Sequence, residues 1–77
     1  MTIDLTQMKP KESGVVHELK GGKEFMSKIQ NIGIRPGKKI VKVSSHFMRG
    51  PQTVKIGNLQ VAIGFGMAKK ILVKIER

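Results

Sequence analysis

The chain contains few side chains whose types could support metal binding or acid–base chemistry. The histidines are His17 and His46, and the carboxylates are Asp4, Glu12, Glu18, Glu24 and Glu76. A metal site needs about three or four such ligands that converge from characteristic spacings. His17 and Glu18 are adjacent in a predicted strand, where neighbouring side chains point to opposite faces. His46 falls in a predicted loop with no carboxylate nearby in the sequence. We therefore predict no metal site and no bound cofactor.

The sequence also lacks the residue patterns of the common enzyme classes. It contains no cysteine, which excludes disulfide frameworks, zinc fingers, iron–sulfur clusters and thiol nucleophiles. No carboxylates are paired at helical spacing, and no serine stands in a nucleophile elbow. We predict that the protein has no catalytic residues, acts on no small-molecule substrate and is not an enzyme.

A glycine-rich segment, residues 64–70, superficially looks like a phosphate-binding loop. Its sequence is Gly-Phe-Gly-Met-Ala-Lys-Lys. It lacks the GxxxxGK[ST] spacing, and a predicted strand follows its lysines where a full helix would be needed. We interpret the segment as a tight crossover between two strands, in which the glycines permit positive φ and Ala68 packs closely.

The segment 45–51 combines large apolar side chains with an arginine in a predicted loop. Phe47 and Met48 precede Arg49, and these residue types are enriched in protein–protein contacts. We predict Phe47, Met48 and Arg49 as partner-binding residues, with Met67 of the crossover as a further candidate because methionine adapts to irregular surfaces. The alternative is structural: Phe47 or Met48 folds back over one end of the fold, and Met8 and Met67 fill gaps in the core.

The composition is strongly basic. Fifteen Lys and Arg stand against five Asp and Glu, which gives a formal net charge of +10 on 77 residues. Such a charge favours an anionic partner. The basic residues are dispersed, and the chain has no Trp or Tyr, so the aromatic platforms of many nucleic-acid-binding proteins are missing. A plain solvated surface, an acidic protein or anionic membrane surface, and nucleic acid all remain open, with nucleic acid disfavoured.

One short helix is predicted over residues 23–32. Phe25, Ile29 and Ile32 recur at i, i+4 and i+7 and form a single apolar stripe. Gly33 follows where a left-handed residue commonly ends a helix. Pro36 and Gly37 then occupy the central positions of a predicted type II turn.

Strands are predicted over residues 14–19, 39–44, 52–56, 59–63 and 71–75, after an irregular lead-in anchored by Leu5. Gly57 and Asn58 separate two alternating runs and predict a two-residue hairpin turn. In the last strand Ile71, Val73 and Ile75 are expected to face inward. In the strand 39–44, Val41 and Val43 share one face while Ile40 and Lys42 share the other.

These elements predict a mainly β fold. We expect a small, partly open, SH3-like β-barrel of about five strands, with one short α-helix between the first two strands and a short helical turn before the last. A chain of 77 residues has room for one core. The N-terminal residues lack the apolar core of a signal peptide and no apolar stretch approaches the length of a membrane span, so we expect a cytoplasmic protein.

Several motifs, taken in order and spacing, resemble the ferrous-iron transport protein A (FeoA) family. After Gly21-Gly22 they are Asn31-Ile32-Gly33-Ile34-Arg35-Pro36-Gly37, Val54-Lys55-Ile56-Gly57, Val61-Ala62-Ile63-Gly64 and Ala68-Lys69-Lys70-Ile71-Leu72-Val73. The resemblance covers about residues 5–75 of a single domain spanning 1–77. The chain departs from the family pattern where Lys28-Ile29 and Gly64 stand at positions at which relatives often carry arginine.

The resemblance implies a bacterial, cytoplasmic, SH3-like barrel that acts in ferrous iron uptake beside the membrane transporter FeoB, whose cytosolic part binds GTP. It implies an accessory or regulatory binding module, and it brings no catalytic residues. The same domain also occurs in metal-dependent repressors. We expect the cytosolic domain of FeoB as partner, recruitment to the inner face of the cell membrane, and a monomer or weak self-association. A nucleic-acid-binding module and an iron-binding protein that uses His17 and His46 are the alternatives.

Overall fold

The computed structural model describes residues 1–45 and 50–76 and places them in one antiparallel sheet with two short helices. The strands are β1 (Thr2–Asp4), β2 (Ser13–Leu19), β3 (Lys39–Ser45), β4 (Gln52–Ile56), β5 (Leu59–Ile63) and β6 (Ile71–Lys74), and the helices are α1 (Lys23–Asn31) and α2 (Phe65–Ala68). A 3-10 helix, Leu5–Gln7, follows β1. The strand order is β1-β6-β2-β3-β4-β5. The predicted mainly β, small SH3-like fold is confirmed, with six strands in an open sheet.

Two irregularities help the sheet to curve around its core. The register shifts between Val16 and Glu18 in β2 and between Lys42 and Ser44 in β3, and such bulges bend a strand and increase its twist. Gly14 of β2 allows a close approach to β6, because a Cβ atom at this position would lie 2.5 Å from Cγ1 of Val73 and 2.8 Å from the Lys74 carbonyl oxygen.

The inner face of the curved sheet forms the hydrophobic core. The fully or almost fully buried apolar residues are Leu5, Met8, Val16, Leu19, Ile29, Ile34, Ile40, Val54, Ile56, Ile63, Ala68, Ile71, Val73 and Ile75. The alternation predicted for the last strand is confirmed, since Ile71, Val73 and Ile75 are all buried. Met8 is a core residue, which agrees with the structural alternative for this methionine.

The predicted helix and the turn after it are confirmed. Ile29 is buried in the last turn of α1, and Phe25 and Ile32 pack partly buried against the core. Gly33 has φ +98° and ends the helix in the left-handed region. Gly37 has φ +91°, and the amide of Lys38 donates to the Arg35 carbonyl at 3.0 Å, as a type II turn requires.

The hairpin between β4 and β5 is also confirmed. Ile56 pairs with Leu59, which leaves Gly57 and Asn58 as a two-residue loop, and Gly57 has φ +60°. The irregular lead-in is wrong in one part, because Thr2–Asp4 forms the edge strand β1 against β6. A strand of three residues with one apolar side chain has no clear period, and its partner is almost the whole chain away.

No helix among the described residues is long and apolar enough to cross a membrane.

Candidate partner-binding site

The predicted contact residues Phe47, Met48 and Arg49 lie outside the described residues. The two strands that carry this segment are neighbours in the sheet, with Lys42 paired to Val54 and Ser44 paired to Thr53. At its far end, the buried Gln52 donates through Nε2 to the Gly50 carbonyl at 3.0 Å. The segment is therefore anchored on a well-formed part of the sheet, and the role of its three candidate residues stays a prediction.

Met67, the fourth candidate, lies on α2 and is partly buried against the core. Its neighbour Ala68 is fully buried, which confirms the close packing predicted for this crossover. The positive φ that glycine permits is not used here: Gly64 has φ −56°, and Gly66 is part of the helix. The chain turns here through one helical turn, which needs no left-handed residue. Met67 divides its surface between core and solvent, and its role in partner binding remains a prediction.

Two lysines after α2 lie over aromatic rings. The Lys69 ammonium is 5.8 Å from the centroid of the Phe65 ring, and the Lys70 ammonium is 5.5 Å from that of Phe25. Cation–π attraction of this kind is worth about 0.5–1 kcal/mol at exposed sites. The two rings are therefore partners for these two ammonium groups.

The residues that the structure describes contain no group of three or more His, Asp or Glu side chains that could hold a metal ion. His17 is exposed on β2, at the register shift between Val16 and Glu18. His46 lies outside the described residues. The iron-binding alternative thus gains no described ligand cluster around His17.

Lys42 is a buried cation. The alternation in β3 predicted that it shares a face with Ile40, but did not predict which face was inward. Its side chain is fully buried, and Nζ donates to the carbonyl oxygens of Leu5 at 2.8 Å and Met8 at 3.2 Å. Burial lowers the pKa of Lys42 below its usual 10.5, against the opposing effect of the Asp4 and Glu12 carboxylates. The ammonium ties β3 to the segment that contains the 3-10 helix, so Lys42 has a structural role.

The outer face of the sheet collects lysines that are far apart in the sequence. Val15 of β2 is paired with Lys39 of β3 on one side and with Lys74 of β6 on the other. Val41 of β3 is paired with Lys55 of β4. We call these five residues the basic sheet face. Alternation predicts which way each side chain points, but only the register of four strands brings them together, so the dispersed lysines gave no signal of a cluster.

Residues 3–75 match the family model of the FeoA domain. The chain belongs to the FeoA domain family. The predicted resemblance is thereby confirmed over nearly its whole length, and with it a place in ferrous iron uptake, which is the process that the FeoA family serves.

Solved structures agree with this assignment. The chain is similar to an iron uptake regulatory protein (FeoA), with 32% identity and a TM-score of 0.90 over 96% of this chain and 97% of that chain. It shares the fold of a FeoA-like protein from Clostridium acetobutylicum, with 22% identity and a TM-score of 0.85 over 99% of this chain and 88% of that one. Comparison with curated proteins finds no match.

The same FeoA fold also occurs as part of longer proteins. A manganese-dependent transcriptional repressor matches with 18% identity and a TM-score of 0.89, over 97% of this chain but only 42% of that chain. At this identity the likeness concerns the fold alone. FeoA domains are small accessory units.

Proposed function

We propose that this FeoA protein is a non-catalytic regulatory module of ferrous iron uptake that binds the cytosolic GTP-binding domain of the membrane transporter FeoB. The observation that supports the proposal best is the 32% identity, over almost the full length of both chains, to an iron uptake regulatory protein. A protein of this kind works in the cytoplasm at the inner face of the membrane, where an excess of positive charge favours approach to anionic lipid and acidic protein surfaces.

The segment 47–49 supplies the apolar anchors in this proposal. Phe47 and Met48 flanked by Arg49 have the composition of an interface centre, and Met67 of α2 is partly exposed as a further contact. A few aromatic or arginine side chains commonly account for most of the affinity of an interface. Lysines around them would raise the association rate with an acidic partner more than the final affinity.

Titration of the purified FeoB cytosolic domain against wild-type protein and a Phe47→Ala variant tests the proposal. We expect Kd to rise about tenfold or more for Phe47→Ala, since truncation of a central aromatic typically costs above 1.4 kcal/mol. Leu59→Ala is the matched control, because Leu59 is an apolar side chain of β5 that is 54% exposed. Its Kd should change by less than about threefold.

Two results would count against the proposal in different ways. Wild-type protein that shows no binding to the FeoB domain, with or without guanine nucleotide, would overturn the partner. Equal affinity of the Phe47→Ala variant and the wild type would leave the partner in place and remove Phe47 from the interface. Ferrous iron uptake by cells that carry each variant in place of the wild-type gene then relates binding to transport.

A further inference from the structure

The basic sheet face combines apolar side chains with exposed lysines. Val15 is 42% exposed, and Val41 is partly exposed. Lys39, Lys55 and Lys74 are all exposed. The pairing of Val15 with both Lys39 and Lys74 puts the three residues in one row across β3, β2 and β6. A floor of two valines is thus bordered by lysines on both sides.

The dimensions follow from sheet geometry. Adjacent strands are about 4.8 Å apart, so the backbones of Lys39 and Lys74 are separated by about 10 Å. An α-helix with its side chains is about 10–12 Å across. A helix laid over Val15 would therefore have a lysine along each of its two flanks.

The positive charge of this face is least offset by carboxylates on the side of β3 and β4. A shallow groove of about 410 Å³ is lined by Lys38, Lys39, Val41, Lys55 and Gly57, with no carboxylate among them. The adjoining hollow on the side of β6, of about 810 Å³, includes Glu12 and Glu76 at its margin beside Lys39 and Lys74. The excess positive charge therefore lies toward Lys38, Lys39 and Lys55, which sets the side on which a partner must be most acidic.

The composition of the face favours an acidic protein as the partner over nucleic acid or a lipid bilayer. Strands β2, β3, β4 and β6 contain no arginine and no phenylalanine, the residues that stack on bases or pair with phosphates in a bidentate manner. Two valines are small for insertion into a bilayer, where larger apolar and aromatic side chains are typical. Valines between lysines match instead an apolar stripe between carboxylates, which is the surface of an acidic amphipathic helix.

We propose that the basic sheet face is a docking surface for an acidic amphipathic helix of the partner protein, with apolar side chains against Val15 and Val41 and carboxylates against Lys39, Lys55 and Lys74. This assignment rests on the proposed function, because the helix belongs to the cytosolic domain of the transporter. It adds a contact surface on the sheet to the one predicted at residues 47–49.

The test uses the purified cytosolic domain of FeoB as the probe and compares two triple variants of equal charge change. The first is Lys39→Glu/Lys55→Glu/Lys74→Glu. The control is Lys20→Glu/Lys23→Glu/Lys28→Glu, whose positions are exposed at the end of β2 and along α1, away from the basic sheet face. We expect Kd to rise at least about tenfold for the first and less than about threefold for the control, because only the first places like charges against the partner. Circular dichroism checks that both variants are folded.

A Val15→Ser/Val41→Ser variant tests the apolar floor without a change of charge. We expect it to weaken binding by about threefold to tenfold, and we expect this loss to persist at 0.5 M salt, where the lysine contribution is screened. If the loss of affinity instead disappears at 0.5 M salt, only long-range charge acts at this face.

The remaining outcomes distinguish a failure of the proposed function from a failure of this assignment alone. Absence of wild-type binding overturns the proposed function and this assignment together. Equal effects of the two triple variants overturn the assignment and leave the proposed function standing. The Lys39→Glu/Lys55→Glu/Lys74→Glu variant could also bind the FeoB domain as the wild type does but lose binding to duplex DNA or to vesicles of phosphatidylglycerol. That result would overturn the assignment and give the face to nucleic acid or to the membrane.

Discussion

Lys39 and Lys42 lie on the same strand, three positions apart, and have opposite environments. Lys39 points outward beside the exposed Val15, whereas Lys42 is fully buried and donates to the carbonyls of Leu5 and Met8. A buried ammonium is tolerated only where its donors find acceptors. The comparison shows that the inner lysine is part of the architecture of the fold, while the outer one costs folding little and is available for another molecule.

The largest expected effect is the loss of the inner lysine. Lys42→Ala should lower the free energy of unfolding by about 3 kcal/mol, because it leaves a cavity and removes the donor from two buried carbonyls. Lys39→Ala should change it by no more than about 0.5 kcal/mol. Urea denaturation of both variants measures the difference, and equal losses would contradict the distinction between the two lysines.

Glycine substitutions extend the comparison from a buried and an exposed lysine to a crowded and an open backbone position. Gly14→Ala should cost about 2 kcal/mol, because a Cβ atom there would lie 2.5 Å from the Val73 side chain and 2.8 Å from backbone. Gly66→Ala meets nothing within 4 Å on α2 and should raise stability by about 0.5 kcal/mol, since alanine is the better helix former. Thermal unfolding of the two variants should move the midpoint in opposite directions. A destabilised Gly66→Ala would mean that α2 is constrained by something other than space.

The smallest expected effect is a pH dependence that comes from the inner lysine. The folded-state pKa of Lys42 lies below its usual 10.5, so between the two values the unfolded chain binds more protons and the free energy of unfolding rises with pH. This contribution is fully present above about pH 10.5 and is lost as pH falls through the lowered pKa.

Lys42→Met removes the titrating group while keeping most of the volume. The free energy of unfolding of the wild type relative to Lys42→Met should therefore increase on raising the pH toward about 10.5. Urea denaturation at a series of pH values measures both proteins. Parallel profiles for the two proteins would show that burial does not shift the titration of Lys42.

Much of the fold could be predicted because its signals are local. The stripe of Phe25, Ile29 and Ile32, the turn at Pro36-Gly37 and the hairpin at Gly57-Asn58 each depend on residues close in sequence, and each is confirmed. Strand β1 could not be predicted, because its pairing with β6 is set by contacts across the chain. The conformation of the crossover glycines could not be predicted for another reason: a glycine permits positive φ but does not require it.

The site was harder to predict than the fold. In β3, Val41 and Val43 form a more apolar face than Ile40 and Lys42, yet Ile40 and Lys42 are the buried pair, so alternation alone did not identify the inward face. Composition also pointed to a loop with large apolar side chains and passed over the valines and lysines of the sheet. A docking surface on a sheet is built from cross-strand neighbours, and a single sequence contains their types without their register.

The pairing of β1 with β6 has a consequence for how this domain can be used. Thr2 is opposite Lys74, so the two ends of the described chain leave the sheet side by side, about one strand spacing apart. A unit with adjacent ends can be joined to another polypeptide, or set within one of its loops, without opening the core. The geometry therefore suits a portable module, whose attachment point lies next to Lys74.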